Sequence, residues 1–522
     1  MTGFRRFRPR LAPVGPGWVR LSVLTTVLLG GWAFLVPEGT RPHWWHWTIG
    51  GVVLVASLGS WHGQRLATTA RRWTAMMWRN RRRRRGAPLP VAEAEECADP
   101  DTALQARIVI QLRPQAHMLS TPGDGRDQLP WEFVTSWLDR YGVRIDELTV
   151  CSVTATPPPS ALRTAVAALV TARTPQRRDT WLTYRLSADN NVAALLARGT
   201  TVGAHGEGEG GDVPGRAVLA EVTARRLVAE FRERGWWATV HDRQAPLPRF
   251  VAPSARRRRE CWTGTEHSDG FRAVYTVDPQ RVAAIIDQLP TLTAKATWMT
   301  VTIRPHPGQA YGVEACLGTV TPTRPPRVPL AGLRGFHGLH HLAAKALTVH
   351  GFEAGDEVPR PAGTGSAVVD LGSVEWPTAA AGVPLGRNRS RQPIYLGVQS
   401  AEPVRITVTG TSEFHVGIVG RLALSGLPIA IYTAIPNRWT QLANHAAPQQ
   451  VLLNPSTATE DTIVVTDGSV DPPIATGAFT VALRRPQNAP APPTTVVITQ
   501  DRRKDLLTVT TPRGAEWLST QL

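Results

Sequence analysis

The chain has 522 residues and a formal charge of +17, from 58 Lys and Arg against 41 Asp and Glu. Only three of those bases are lysine (Lys295, Lys345 and Lys504), so arginine carries the charge. The length suits an anchor plus two ordinary domains. The four cysteines (Cys97, Cys151, Cys261 and Cys316) are scattered, with no CxxC spacing and no His cluster to complete a metal site, and in a cytoplasmic region are expected to be reduced, ordinary residues.

Two apolar stretches stand near the N-terminus. The first runs from Trp18 to Val36 and stops at Pro37; the second runs from Trp44 through Ile49 and Leu58 to Trp61. Each approaches the ~20 residues a helix needs to cross the hydrocarbon core. Trp18, Trp32, Trp44, Trp45, Trp47 and Trp61 sit at their ends, where amphipathic indoles favour an interface. The expectation is a membrane protein. An N-terminal two-helix transmembrane hairpin (18–63, spans 18–36 and 44–62) is followed by a layered α/β (α+β) cytoplasmic region. A signal peptide fits less well, because Val36-Pro37-Glu38 is a poor cleavage site and the second stretch would stay unexplained.

Arginines crowd the two outer flanks: Arg5, Arg6, Arg8, Arg10 and Arg20 before, and Arg65, Arg71, Arg72, Arg79 and Arg81 to Arg85 after. Positive-inside bias then puts both termini in the cytoplasm of a multi-pass inner (plasma) membrane protein, with 1–17 a basic cytoplasmic tail. Residues 64–100 are expected to form a basic juxtamembrane helix and linker. Within it Arg79, Arg81, Arg82, Arg83, Arg84 and Arg85 are assigned to contact with anionic lipid headgroups, at roughly 1 kcal/mol each. A second run, Arg256 to Arg259, is read as a solvated loop, with a partner or lipid contact as the alternative.

Further along, alternation predicts strands at 106–112, 147–154, 181–186 and 235–240. Helices are expected at 131–141, 160–172 (with Ser160 as N-cap), 190–199 and 218–234, and a Gly-rich loop at 203–211. The pattern repeats in outline from Arg272. Strands are expected at 272–277, 296–304 and 316–323, and helices at 280–289 and 337–350. A Pro/Gly-rich break at 358–365 divides an α/β domain (101–360) from a C-terminal α/β part (366–522). In the latter, strands are expected at 393–399, 404–409, 428–433, 462–466 and 494–499, and helices at 415–425 and 515–521.

Nothing along the chain asks for catalysis. No Gly-Lys pair exists for a P-loop, and the acidic residues of Gly206-Glu207-Gly208-Glu209-Gly210-Gly211 sit where a dinucleotide pyrophosphate would approach. His337 and His341 would share a helix face, but no Glu completes an HExxH pattern. No catalytic, cofactor-binding or metal residue is assigned, and no cofactor is expected.

Several segments resemble a known family. Thr183-Tyr184-Arg185-Leu186, Asn190-Asn191-Val192-Ala193-Ala194, Ala197-Arg198-Gly199 and the run Ala224 to Trp237 look like the EccE component of type VII (ESX) secretion systems. So do Gly417 to Pro428 and Asn437-Arg438-Trp439. The most specific likeness lies between Trp181 and Thr239. It implies a non-catalytic structural subunit of an inner-membrane export complex, with EccB, the EccC ATPase and EccD as partners, and with WXG100, PE and PPE proteins as cargo. Nucleic acid is not expected as a partner. The rival reading is a membrane-tethered transferase acting on a lipid or nucleotide-activated substrate. Its Asp-x-Asp candidate, Asp99-Pro100-Asp101, lies in the linker.

Overall fold

The computed structural model describes most of residues 60–520 and, before them, only positions 26, 31, 44, 47 and 48. The longer stretches outside the described residues are 85–104, 114–118, 122–127, 170–176, 197–212, 354–366 (except Val358), 399–403, 474–478 and 486–495. Two sheets of eleven strands dominate what is described.

The first sheet is wholly antiparallel along its main path and is built from two units of like topology. In the first unit the chain order is β1 (Gln105–Arg113), α2 (Trp131–Ser136; α1 is described below), β2 (Glu147–Ala155), α3 (Ala161–Leu169), β3 (Arg177–Ser187), α4 (Val213–Glu233) and β4 (Trp237–Val240). After the hairpin β5 (Arg257–Cys261) and β6 (Gly264–His267), the second unit follows. It comprises β7 (Gly270–Val277), α5 (Val282–Gln288), β8 (Ala296–His306) and β9 (Ala310–Thr321). The spatial order is β5-β6-β7-β9-β8-β2-β3-β1-β4. Each unit is a split βαβ, its first and second strands lying either side of the third. The units meet through their second strands, β8 and β2, in a register from Ala296↔Ala155 to Ile303↔Leu148.

The period of two sorts these strands into two apolar faces. Ile108, Ile110, Leu148, Val150, Leu182, Tyr184, Val301 and Ile303 pack with Phe133 of α2, Leu227 and Phe231 of α4 and Ile285 of α5. The alternate positions Val109, Cys151, Trp181, Val274, Trp298 and Cys316 form a second cluster with Phe250, Phe336, Leu347 and Phe352. α4 shows why it is a helix here. Leu219, Thr223, Leu227 and Phe231 are buried at intervals of four, one stripe for one core face. Each such fully buried Leu or Phe contributes about 1.5–3 kcal/mol.

The second sheet runs β14-β13-β15-β16-β12-β17-β18-β19-β10-β11 and ends on the pair Leu119–Ser120. In chain order these are β10 (Val383–Arg387), β11 (Pro393–Leu396), β12 (Val404–Thr409), β13 (Ile429–Tyr432), β14 (Val451–Leu453), β15 (Ile463–Thr466), β16 (Phe479–Arg484), β17 (Val496–Gln500), β18 (Leu506–Thr511) and β19 (Gly514–Ser519). The six from β12 to β17 are parallel. Among them Ile429–Tyr432 and Ile463–Thr466 read as near-continuous apolar runs, as buried parallel strands do. α7 (Ser412–Leu422) links β12 to β13. Thr411 caps its start by accepting from Phe414 N, and Gly426, at φ 78°, follows the short 3-10 turn at its end.

The sheets are stitched together by the chain between them. Trp376 packs edge-on against Trp131 of α2 at 5.9 Å. Trp131 Nε1 donates to Val374 O at 2.7 Å, Leu129 N to Trp376 O at 2.9 Å, and Arg178 Nη1 to Pro377 O at 2.9 Å. In the other direction, Leu119 and Ser120 pair with Leu396 and Tyr395 of β11.

The expected fold class is corrected in both parts. The described chain is mainly β-sheet rather than layered α/β (α+β), and no described helix is long and apolar enough to cross a membrane. Most of the predicted spans 18–36 and 44–62 lies outside the described residues. At the end of the second, Ser60–Trp61 pairs antiparallel with Gln64–Arg65, so the chain turns where a continuous helix was expected. Elsewhere strand pairing overrides the segment's own pattern. Residues 515–521, expected as a helix, are mostly β19 against β18; 337–350 holds only a short helix, His340–Ala346, before a hairpin at 347–352.

Trp376 is 1% exposed at this seam. Trp376→Ala is expected to lower the unfolding free energy by about 3–5 kcal/mol, read from denaturant unfolding of the full chain. A loss below ~1 kcal/mol would mean that the linker does not hold the layers together.

Candidate docking site

α1 (Leu66–Arg84) precedes the first sheet, and its sequence is rich in Ala, Met and Arg, with no Gly, Pro, Asp or Glu. Those are strong helix formers, and Arg81 to Arg84 in the last turn oppose the negative end of the helix dipole. One stripe faces the protein: Met76 is buried, and Arg72, Arg79, Asn80 and Arg83 are half-buried. Burial lowers the Arg72 pKa.

The stripe lies on β5, the end strand of the first sheet. Asn80 acts there as a surrogate strand. Its Nδ2 donates to Glu260 O at 2.8 Å, and its Oδ1 accepts from Glu260 N at 3.0 Å. Arg83 Nη1 donates to Arg257 O at 2.8 Å. An unpaired edge is thereby satisfied by side chains of a helix.

The Glu260 side chain, 3% exposed, completes the attachment. Arg79 reaches it with both arms of its fork, Nε to Oε2 and Nη2 to Oε1, each at 3.0 Å, and Nη2 also donates to Gly338 O at 3.1 Å. From α6 (His340–Ala346), His341 Nδ1 lies 2.8 Å from Oε1. An ionised carboxylate only accepts, so that nitrogen carries the proton. Burial raises the Glu260 pKa, but the hydrogen bonds and charges of His341 and Arg79 outweigh it and hold the group down at about 2. Burial lowers the pKa of His341, against the pull of Glu260.

The other histidines of this corner have structural partners. His340 accepts from Val274 N at 3.2 Å, and burial pushes its pKa down to about 3. His337 stacks on Trp262 with ring centroids 5.8 Å apart. Gly338, at φ 72°, has no room for a Cβ, which would meet Trp262 at 2.7 Å. His337 and His341 thus turn to different neighbours, and no group of described His, Cys, Asp or Glu residues could hold a metal.

The six arginines assigned from sequence to a membrane surface are placed unequally. Arg79 is bound to Glu260 and Arg83 to the β5 backbone, whereas Arg81, Arg82 and Arg84 are exposed; Arg85 lies outside the described residues. The rest of that outer face, which carries no sequence assignment, is apolar: Trp73, Met77 and Trp78 are 52%, 50% and 63% exposed. Arg82 lies over the Trp78 ring at 5.4 Å. The signal was available as aromatic and Met residues four and five apart within a basic run. The run Arg256 to Arg259, expected as a loop, largely falls in β5 beside the end of α1.

An open parallel sheet binds ligands beyond the carboxyl ends of its strands. Polar groups do gather there in the second sheet, but they bond to one another. Thr433 Oγ1 donates to Asp467 Oδ2 at 2.6 Å, Thr433 N to Asn454 Oδ1 at 2.9 Å, and Ala434 N to Ser469 Oγ at 2.8 Å. Asp99 and Asp101, and the Gly206–Gly211 loop, lie outside the described residues. Cys151, Cys261 and Cys316 are buried, and none of them is in a disulfide.

No protein-family model matches the sequence. Among curated proteins, those named ESX-3 secretion system protein EccE3 from two strains of Mycobacterium tuberculosis are each 29% identical over 271 residues, 50% of this chain and 63% of theirs. The protein of that name from Mycolicibacterium smegmatis is 28% identical over 307 residues, 58% of this chain and 77% of its own. The match thus spans less than two thirds of the Mycobacterium tuberculosis relatives. These relatives are components of a secretion system by name. The resemblance read from Trp181 to Thr239 is borne out: the chain is similar to the EccE family of type VII secretion.

The ionised Glu260 stabilises the fold above the ordinary carboxylate range, and that stability is lost as pH falls from about 4.5 towards about 2. His341 acts in the same sense, because the unfolded chain takes up its proton at higher pH than the folded one does. Glu260→Gln is expected to flatten the acid limb of the stability profile, removing on the order of 2 kcal/mol at neutral pH. Denaturant midpoints of both proteins between pH 2 and 7 measure this. Parallel profiles would show that Glu260 is not the group responsible.

Proposed function

We propose that this chain is a non-catalytic structural subunit of an inner-membrane type VII (ESX) protein secretion complex. What carries the reading is the similarity to EccE3 proteins over half of the chain. The polar interior supports it. Its ionisable groups hold elements to one another, as Glu147 does by accepting from Arg185 at 2.9 Å and Arg304 at 2.8 Å. In this reading the two sheets form a rigid body that other subunits grip, EccB, EccD and the EccC ATPase among them. An ATPase elsewhere in the complex would suit a chain without a P-loop. The cargo would be WXG100, PE and PPE proteins, and the chain would reside at the membrane as part of the complex.

The test is purification of the tagged full chain from its own membranes in mild detergent, with mass spectrometry of what accompanies it. An FtsK-like ATPase and a many-span membrane protein are expected in one large complex. Recovery of the chain alone in several detergents would overturn the reading.

A further inference from the structure

We propose that the outer face of α1 docks on the surface of an anionic lipid bilayer, with Trp73, Met77 and Trp78 entering the interface and Arg81, Arg82 and Arg84 pairing with headgroups. This goes beyond the secretion reading and does not depend on it, because the surface belongs to this chain alone.

Three observations converge. The helix divides its arginines by task, with Arg79 and Arg83 turned inward to Glu260 and the β5 backbone while Arg81, Arg82 and Arg84 face solvent. The same outer face leaves two tryptophans and a methionine half or more exposed. No structural reason within the described fold calls for that, and exposed large apolar groups gathered on one face mark an interaction surface. Finally, the helix has no acidic residue, and the Arg83–Arg257 bond sets its C-terminal end beside the second basic run, where Arg256, Arg258 and Arg259 are exposed. Two arginine runs more than 170 positions apart in sequence thus meet at one corner.

The chemistry of that corner suits a lipid surface. Indole rings favour the headgroup layer, where an apolar body and a polar N–H are both accommodated. Clustered arginines draw on the negative surface potential of anionic lipids, and both terms act together on a helix lying in the interface plane. The Glu260 attachment fixes which face is offered, so the helix need not roll or unfold to dock. Nucleic acid shares the attraction to arginine, but phosphate contact leaves Met77 without a task.

The test uses the full chain with a polarity-sensitive dye on a cysteine introduced by Met77→Cys, and a control dye at Ile435→Cys in the loop after β13, also exposed. Vesicles of phosphatidylcholine with about one third phosphatidylglycerol should shift the emission at position 77 to the blue and leave position 435 unchanged. Phosphatidylcholine alone should do little, and high salt should reverse part of the shift. Reversal of Arg81, Arg82 and Arg84 to Glu should weaken binding roughly tenfold or more. Their exposure keeps the effect on the melting temperature small, arising only from their place at the negative end of the helix dipole. An unchanged dye at position 77 overturns the proposal, as does an equal response to both vesicles. A shift with duplex DNA but not with vesicles would reassign the face to nucleic acid.

Discussion

An open sheet ends in strands whose outward N–H and C=O groups must bond to something, and in this protein that constraint sets where the basic helix lies. β5 is the end strand of the first sheet, and α1 supplies its missing neighbour through the Asn80 amide and the Arg83 guanidinium. Side-chain bonds alone would leave the helix free to roll. Glu260 prevents that, because a buried carboxylate requires compensation and finds it only when Arg79 and His341 approach from either side. One acid therefore ties together an early helix, the sheet edge and α6. The orientation of every other arginine on α1 follows from it.

The regular parts of this fold could be read from local pattern. The strands at 404–409 and 147–154 are found at those positions or within one residue, because their alternation or apolar continuity belongs to the strand itself. The helix expected at 218–234 is there with an earlier start. Failures fall where an adjoining strand, and not the segment's own pattern, decides. Ala515 to Ser519 has the composition of a short helix, but β18 offers it a complete antiparallel ladder. The arginines at 257–259 carry no apolar alternation, and become strand because Glu266 and His267 lie opposite. The spanning hairpin, expected from length, flanking tryptophans and flanking arginines, finds no support in any described helix, and most of it lies outside the described residues. For the docking site, the arginine run was visible and its division was not. Which arginine turns inward depends on Glu260, some 180 residues away.

The pattern of polar groups inside the fold follows a single logic. Glu147 joins β3 to β8, Glu260 joins α1 to β5 and α6, and Asp467 joins two loops at one end of the second sheet. Each carboxylate is consumed in joining elements distant in sequence. A protein whose charges are spent in this way offers a shaped body and a charged corner to its surroundings. Those attributes suit the structural role proposed above.

The pair Leu119–Ser120 has a consequence for how the chain is made. It leaves the ribosome before almost all of the first sheet, but its partner Tyr395–Leu396 emerges some 275 residues later. At about 5–20 residues per second, that is a wait on the order of tens of seconds. Over that interval the first sheet can close around its own core while one short segment stays without its partner. The second sheet, in turn, cannot acquire its outermost strand from its own portion of the chain. Its last ladder can form only once Tyr395–Leu396 has emerged, long after the segment that completes it, so the order of synthesis gives the first sheet time to fold before the second is finished.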